Sequence, residues 1–334
     1  MKSQPASGTG GANKSLTWGV NAAMFAALAV MLYLTLFSAV KPDAEGVKYL
    51  VGMSQCNLGE PWRIEMNREI AAAAAQYGDM RIIFTDAAQS NEKQIEDVKK
   101  LLSLGINILI ISPNETEPQD QVIAEAYRKI PVIVLDRKVA GDDYTLFIGA
   151  DNMQIGVKAG EYIGRILAAR GGGHVLEVSG LPGSQPAVER SEGFRRGLAG
   201  ARGITIDATL MADWLRDKAE DAVAKYVADH EGLPVDVVYA HNDPMALGSY
   251  WAMKRMGRDG VIFVGIDGLK GENGGIDLVQ RGVLDITFVY PTGGAEAVEY
   301  ARKLLRGEKI AEKRITLDFA QIDKSNSAQY DARP

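Results

Sequence analysis

The sequence predicts an α/β protein: two doubly wound parallel-sheet lobes joined by a hinge and preceded by one transmembrane helix. Three observations carry that expectation. Apolar runs of strand length alternate with helical stretches at the spacing of βαβ units. The run IPVIVLDR (residues 130–137), which stops abruptly at Asp136 and Arg137, is echoed by VIFVGIDG ending at Asp267 and Gly268, and NILIISPNE is echoed by DVVYAHNDP, each about 130 positions later. Residues 16–40 contain no charged side chain and are long enough to cross a bilayer core of about 30 Å.

Taken in order, residues 1–15 are polar, rich in Gly and Ser, and read as a tail on the cytoplasmic side. Lys2 and Lys14 orient the apolar segment 16–40 as an anchor with the rest of the chain outside, and residues 41–48 form a tether. Cleavage of the segment as a leader competes with that reading, but the small-x-small pattern near Ala39 is poor. The first strand is expected over residues 49–54 and the first helix over 62–76, with Pro61 in its first turn and Ile64, Ile70 and Ala74 toward the sheet. Trp62 and Arg63 then stand over the carboxyl edge of the sheet, where Trp62 is either ordinary packing or a stacking surface for a ring.

A second strand over 81–85 leads to a helix opened by Asn91 with Gln94 at capping-box spacing and stopped at Gly105. A third strand ends in SPNE, a helix spans 116–128, and the strand of IPVIVLDR is followed by a short strand over 146–149 ending at Asp151 and Asn152. The second lobe repeats the pattern: helix 153–169, strand 174–179, a helix carrying Arg190, strand 204–211, and a helix preceded by Trp214 as the first helix begins with Trp62. Asn242 and Asp243 follow the next strand, Asp243 reading as a helix N-cap. After VIFVGIDG come helix 274–281, strand 285–290 with Tyr290 at its end, helix 294–305 and an edge strand over 315–319. Crossings between lobes fall near Asp151, Pro291 and Phe319, so one lobe takes residues 47–150 plus 291–318 and the other 151–290 plus 319–334.

Composition narrows the function. The chain has 334 residues, 46% of them hydrophobic, enough for two cores. Its net charge is −6, with no basic patch, which argues against nucleic acid as a partner. Cys56 is its single cysteine, which excludes an internal disulfide and any multi-cysteine metal site; neither cofactor nor metal is expected. An enzyme on a Rossmann-like fold is the different-class alternative. His241, at a strand end beside Asn242 and Asp243, is the one acid-base candidate, and no nucleophile elbow, phosphate loop or metal-ligand spacing accompanies it.

Seven short motifs in order give a family resemblance: SQ with WR (Ser54, Gln55, Trp62, Arg63), SPN at Ser112, VIVLDR at Val132, ADN at Ala150, ERSEGF at Glu189, YAHND-MALG at Tyr239 and VGIDG at Val264. With these the chain resembles the periplasmic sugar-binding proteins of the ribose and galactofuranose type, the type I periplasmic binding protein fold. The resemblance implies a monosaccharide clamped between the lobes, with hydroxyls bonded by Asp136, Arg137, Arg190, Asn242 and Asp267 and ring faces covered by Trp62 and Trp214. Gln55, Arg63 and Tyr290 complete the expected ligand-binding set, and Tyr290 stands where ribose binders carry a glutamine. The LGEP loop before Trp62 departs from the usual pattern. The implied activity is extracytoplasmic capture of a galactofuranose-like sugar, pentose or hexose for an ABC permease; a membrane-anchored co-receptor signalling to a histidine kinase is the alternative.

Overall fold

In the computed structural model, which describes residues 46–331, two six-stranded sheets share one plan. The first is built from β1 (Tyr49–Gln55), β2 (Met80–Asp86), β3 (Ile108–Ile111), β4 (Val132–Leu135), β5 (Leu146–Ala150) and β11 (Arg314–Leu317), in the order β11-β5-β4-β3-β1-β2 and parallel throughout. The second is built from β6 (Gly173–Ser179), β7 (Ile204–Met211), β8 (Val237–Ala240), β9 (Ile262–Val264), β10 (Ile286–Val289) and β12 (Ala320–Asp323), in the order β12-β10-β9-β8-β6-β7, with only β12 antiparallel. Strands β3, β4 and β8 are buried over every residue, as parallel strands covered on both faces must be. β4 and β9 hold the third place in their sheets, which puts Asp136 and Asp267 at equivalent strand ends.

The helices between them are α1 (Pro61–Ala75), α2 (Asn91–Ser103), α3 (Asp120–Tyr127), α4 (Asn152–Ala168), α5 (Gln185–Leu198), α6 (Arg216–Asp229), α7 (Asp243–Arg255), α8 (Gly275–Gln280), α9 (Gly294–Leu305) and α10 (Ala328–Asp331). The chain passes from the first sheet to the second between β5 and β6, returns between β10 and β11, and crosses again between β11 and β12.

Local chemistry corrects several expectations. In α1 the inward face is Trp62, Met66, Ile70 and Ala74, four residues apart; Ile64 lies off that row and is 55% exposed. Ser90, not Asn91, caps α2, its hydroxyl accepting from the Lys93 N–H at 3.1 Å. Gln94 therefore does not reach back to a cap; it donates to the Ser112 carbonyl and accepts from the Asn114 N–H. Pro118 disfavours helical geometry in the residue before it, and α3 starts only at Asp120. Asn242 caps α7 by accepting from the Met245 N–H at 2.9 Å, so Asp243 is the first helical residue and its carboxylate is turned inward. The expected edge strand over 315–319 is two strands, β11 and β12, one on each sheet. The expected tail and anchor at 1–40 lie outside the described residues, among which no helix is long and apolar enough to cross a membrane.

Candidate functional site

The carboxyl ends of the two sheets face one another, the edge at which open α/β sheets bind ligands. Glu60, Trp62, Arg63, Asp136 and Arg137 from the first lobe and Pro186, Arg190, Trp214, Asn242 and Asp267 from the second close around an inner cavity, with Tyr290 from the chain leaving β10. Each of the named charged or aromatic side chains is at most 5% exposed. The free space among them is about 20 Å³, room for one water molecule, so a larger ligand enters only if the lobes part and close again around it.

The wall is a chain of polar contacts. Arg63 pairs with Asp136 at 2.7 Å and donates to Ser112 Oγ at 2.8 Å. Tyr290 donates its hydroxyl to the other Asp136 oxygen at 2.6 Å and accepts from Asn152 Nδ2, and Asn152 accepts in turn from Arg190 Nε at 2.9 Å. Arg190 also donates to the His241 carbonyl, and Arg137 to the Asn114 carbonyl at 2.6 Å. The Trp62 indole donates to the Tyr290 carbonyl at 2.8 Å, and the two rings tilt against each other at 5.1 Å. Arg137 and Arg190 each stand 5.5 Å from the Trp214 ring.

Backbone strain collects at the same place. Asp136 has φ 69°, Asp267 φ 138°, and Asp213 and Trp214 φ 49° and 72°. L-residues resist such values, and they persist where surrounding contacts fix a ligand clamp. From these positions the Asp136 and Asp267 carboxyls and the Trp214 ring line the cleft, while Asp213 pairs with Lys218.

Burial alone would raise the Asp136 carboxyl, but the guanidiniums of Arg63 and Arg137 and the Tyr290 hydroxyl hold it below the usual range. Asp243 has no such cation in contact. It accepts from Thr287 Oγ1 and the Gly268 N–H, both at 2.7 Å, yet burial pushes it up to about 6. Asp267 is raised by burial and raised further by the charge of Asp243. A carboxyl whose folded pKa is raised binds its proton longer folded than unfolded, so its contribution to stability falls as pH rises from its ordinary value of 3.8 to about 6. Asp243→Asn removes that dependence. Chemical denaturation at pH 4 and pH 7 should show wild type losing stability relative to the variant on going to pH 7; parallel curves would show that folding leaves the Asp243 carboxyl at its ordinary pKa.

Gln55 does not line the cavity, contrary to expectation. Its amide donates to Asn67 Oδ1 at 3.1 Å and its carbonyl accepts from the Cys56 N–H, so both ends are held under α1. The other nine expected site residues all do. His241 lies behind the wall, fully buried, with Nε2 3.0 Å from Glu177; that carboxylate also takes Thr209 Oγ1 at 2.7 Å and Arg195 at 2.8 Å. It supports the Arg190 carbonyl contact and has no open side toward the cleft.

Sequence reasoning missed Glu60 and Asn152. Asn152 stood in the quoted ADN motif, and Glu60 in the loop noted as unusual. Glu60 accepts from Asn57 Nδ2 at 2.7 Å and lies 3.9 Å from both Arg63 Nε and Arg137 Nη2, too far for a hydrogen bond. Arg63 Nε, Arg137 Nε and Arg137 Nη2 are buried and have no hydrogen-bond partner in the protein. Orphaned donors of this kind cost about 1–3 kcal/mol each unless something supplies an acceptor.

Beyond the cavity, contacts among the described residues also join the lobes, including the Glu115 side chain against Gly183. Gln89 Nε2 donates to the Asp213 carbonyl at 3.2 Å, the Thr116 N–H donates to the Gly183 carbonyl at 3.0 Å, Lys138 pairs with Glu189 at 2.9 Å, and Gly59 lies against Leu215.

Comparison with known proteins agrees with this architecture. The fructose-binding periplasmic domain of a hybrid two-component system is 38% identical, with a TM-score of 0.80 over 85% of this chain and 93% of that one. The ribose import binding protein of Escherichia coli is 30% identical over 86% of this chain and 95% of that protein. The galactofuranose-binding protein of the same organism is 27% identical over 74% and 78%. Each of these relatives is described as a binding protein or a binding domain. Residues 51–309 match the periplasmic binding protein domain model, and the chain belongs to that family.

Proposed function

We infer that the protein captures a sugar outside the cytoplasm in the cleft between its lobes and does no chemistry on it. The observation that carries this reading is the cavity wall: the unpaired N–H groups of Arg63 and Arg137 beside the carboxylate of Glu60. A hydroxyl between them would accept from a guanidinium and donate to the carboxylate, and bonds to charged groups are about twice as strong as neutral ones. Three guanidiniums and three carboxyls face the cavity, a formal balance that suits an uncharged polyol. The rings of Trp62 and Trp214 supply faces for its C–H surface. The ligand-binding set is therefore Glu60, Trp62, Arg63, Asp136, Arg137, Arg190, Trp214, Asn242, Asp267 and Tyr290.

Closure joins residues from both lobes, so a ligand touching both shifts the hinge equilibrium toward the closed form. The apolar segment 16–40 supports a membrane-anchored protein with the lobes outside, which suits a co-receptor reporting to a histidine kinase. The 38% identical relative in a two-component system favours that reading over delivery to an ABC permease, the role suggested by the ribose import relative. Reporter induction and uptake of labelled sugar in a deletion strain separate the two: lost uptake with intact induction rejects sensing.

Calorimetry against aldoses and ketoses tests sugar capture itself, and no heat with any of them at millimolar concentration would reject it. Arg137→Lys keeps the charge but loses the fork that reaches Asn114 while leaving N–H groups for the ligand. It should weaken the sugar about 10–100-fold, the worth of about 1.5–3 kcal/mol in charged hydrogen bonds, with little change in the unliganded fold. Unchanged affinity would remove Arg137 from the site.

A further inference from the structure

A groove of about 470 Å³ lies beside the inner cavity. Gly59 and Pro61 of the first lobe form one wall, and the starts of α6 and α7 and the segment leading into α8 form the rest. Trp214 and Asp267 line both the groove and the cavity. The loop 59–61 also serves both: Glu60 lines the cavity while its two neighbours line the groove. Trp214 is 4% exposed, and its indole N–H has no partner in the protein. The two spaces are thus neighbours with a common boundary, one sized for a water molecule as it stands and the other within the range of small-ligand sites.

We propose that the ligand is a glycoside or disaccharide rather than a free monosaccharide, with one ring held among the arginines and aspartates and the second ring or aglycone in the groove beyond Trp214 and Asp267. The assignment rests on the sugar-binding reading above and names the ligand class. The groove offers what a second ring needs: apolar surface from Leu215, Leu247 and Leu269 for its C–H faces, and polar groups of Glu272 and Asn273 for its hydroxyl edge. Trp214, whose ring borders both spaces, keeps its indole N–H buried and without a partner in the protein.

Calorimetry on the full chain with matched pairs tests this: fructose against sucrose, ribose against its methyl ribofuranoside, and galactose against lactose. At least one glycoside should bind tenfold or more tighter than its free sugar. Glycosides no tighter than their free sugars in every pair that binds would overturn the proposal while leaving sugar capture intact. No binding by any member of any pair removes sugar capture, and the groove assignment falls with it. Leu269→Trp narrows the groove without entering the cavity wall; it should weaken the glycoside tenfold or more and the free sugar less than twofold. Equal losses for both would also overturn the proposal.

Discussion

Asp136→Ala should lower the unfolding free energy by about 3–5 kcal/mol, the cost of removing one member of a buried ion pair. Asp136 is 3% exposed and is the anion in contact with Arg63 at 2.7 Å, while the next carboxylate, Glu60, stands 3.9 Å from that guanidinium. The substitution also strands the Tyr290 hydroxyl, which donates to the same carboxylate. Asp136→Asn keeps an acceptor for Tyr290 but not the charge, so it should fall between wild type and the alanine variant. Urea denaturation read by circular dichroism measures all three. A loss below about 1 kcal/mol for the alanine variant would mean that Arg63 turns out to solvent and that the lobes do not hold it in the closed form.

Gly156→Ala should cost about 3 kcal/mol for a different reason. A Cβ built at Gly156 would lie 2.4 Å from the Arg190 carbonyl oxygen and 2.9 Å from the Phe194 nitrogen, both backbone atoms of α5. Gly160, Gly193 and Gly197 are equally tight, each with a backbone oxygen 2.2–2.3 Å from the added atom. Helices α4 and α5 therefore touch through their main chains, and no side chain can swing away to make room. Overpacking of this kind costs about 1–3 kcal/mol and sometimes more. We expect the upper end, together with weaker sugar binding, because the displaced helix carries Arg190. Gly78→Ala, at an exposed glycine whose added Cβ meets nothing within 4 Å, should stay within about 0.5 kcal/mol of wild type. Equal melting curves for the two variants would show that α5 shifts freely.

Much of this was legible in the chain because the two halves repeat each other. Alternating apolar strands and helices force parallel sheets, and equal spacing from Asp136 to Asp267 placed them at matching strand ends. Side-chain orientation was not legible. Gln55 ends a strand beside the cleft just as a ligand residue would, and only the position of Asn67 on α1 shows that its amide is already taken. Glu60 looked like part of an irregular loop because its role depends on two arginines, one of them 77 positions away in sequence. The inward turn of Asp243 follows from Asn242 having won the capping position, a choice between two adjacent good caps that no spacing rule decides.

The bridges between the lobes, Gln89 to Asp213, Thr116 to Gly183 and Lys138 to Glu189, are few and mostly lie at the rim. An ion pair with 25% and 22% of its side-chain surface open is worth about 0–1 kcal/mol and is weakened by salt. The rim contacts thus add little to closure compared with the buried contacts at the cavity, Tyr290 to Asp136 and Arg137 over Trp214. Higher ionic strength should therefore loosen the Lys138–Glu189 part of the closure and leave the buried contacts at the cavity untouched.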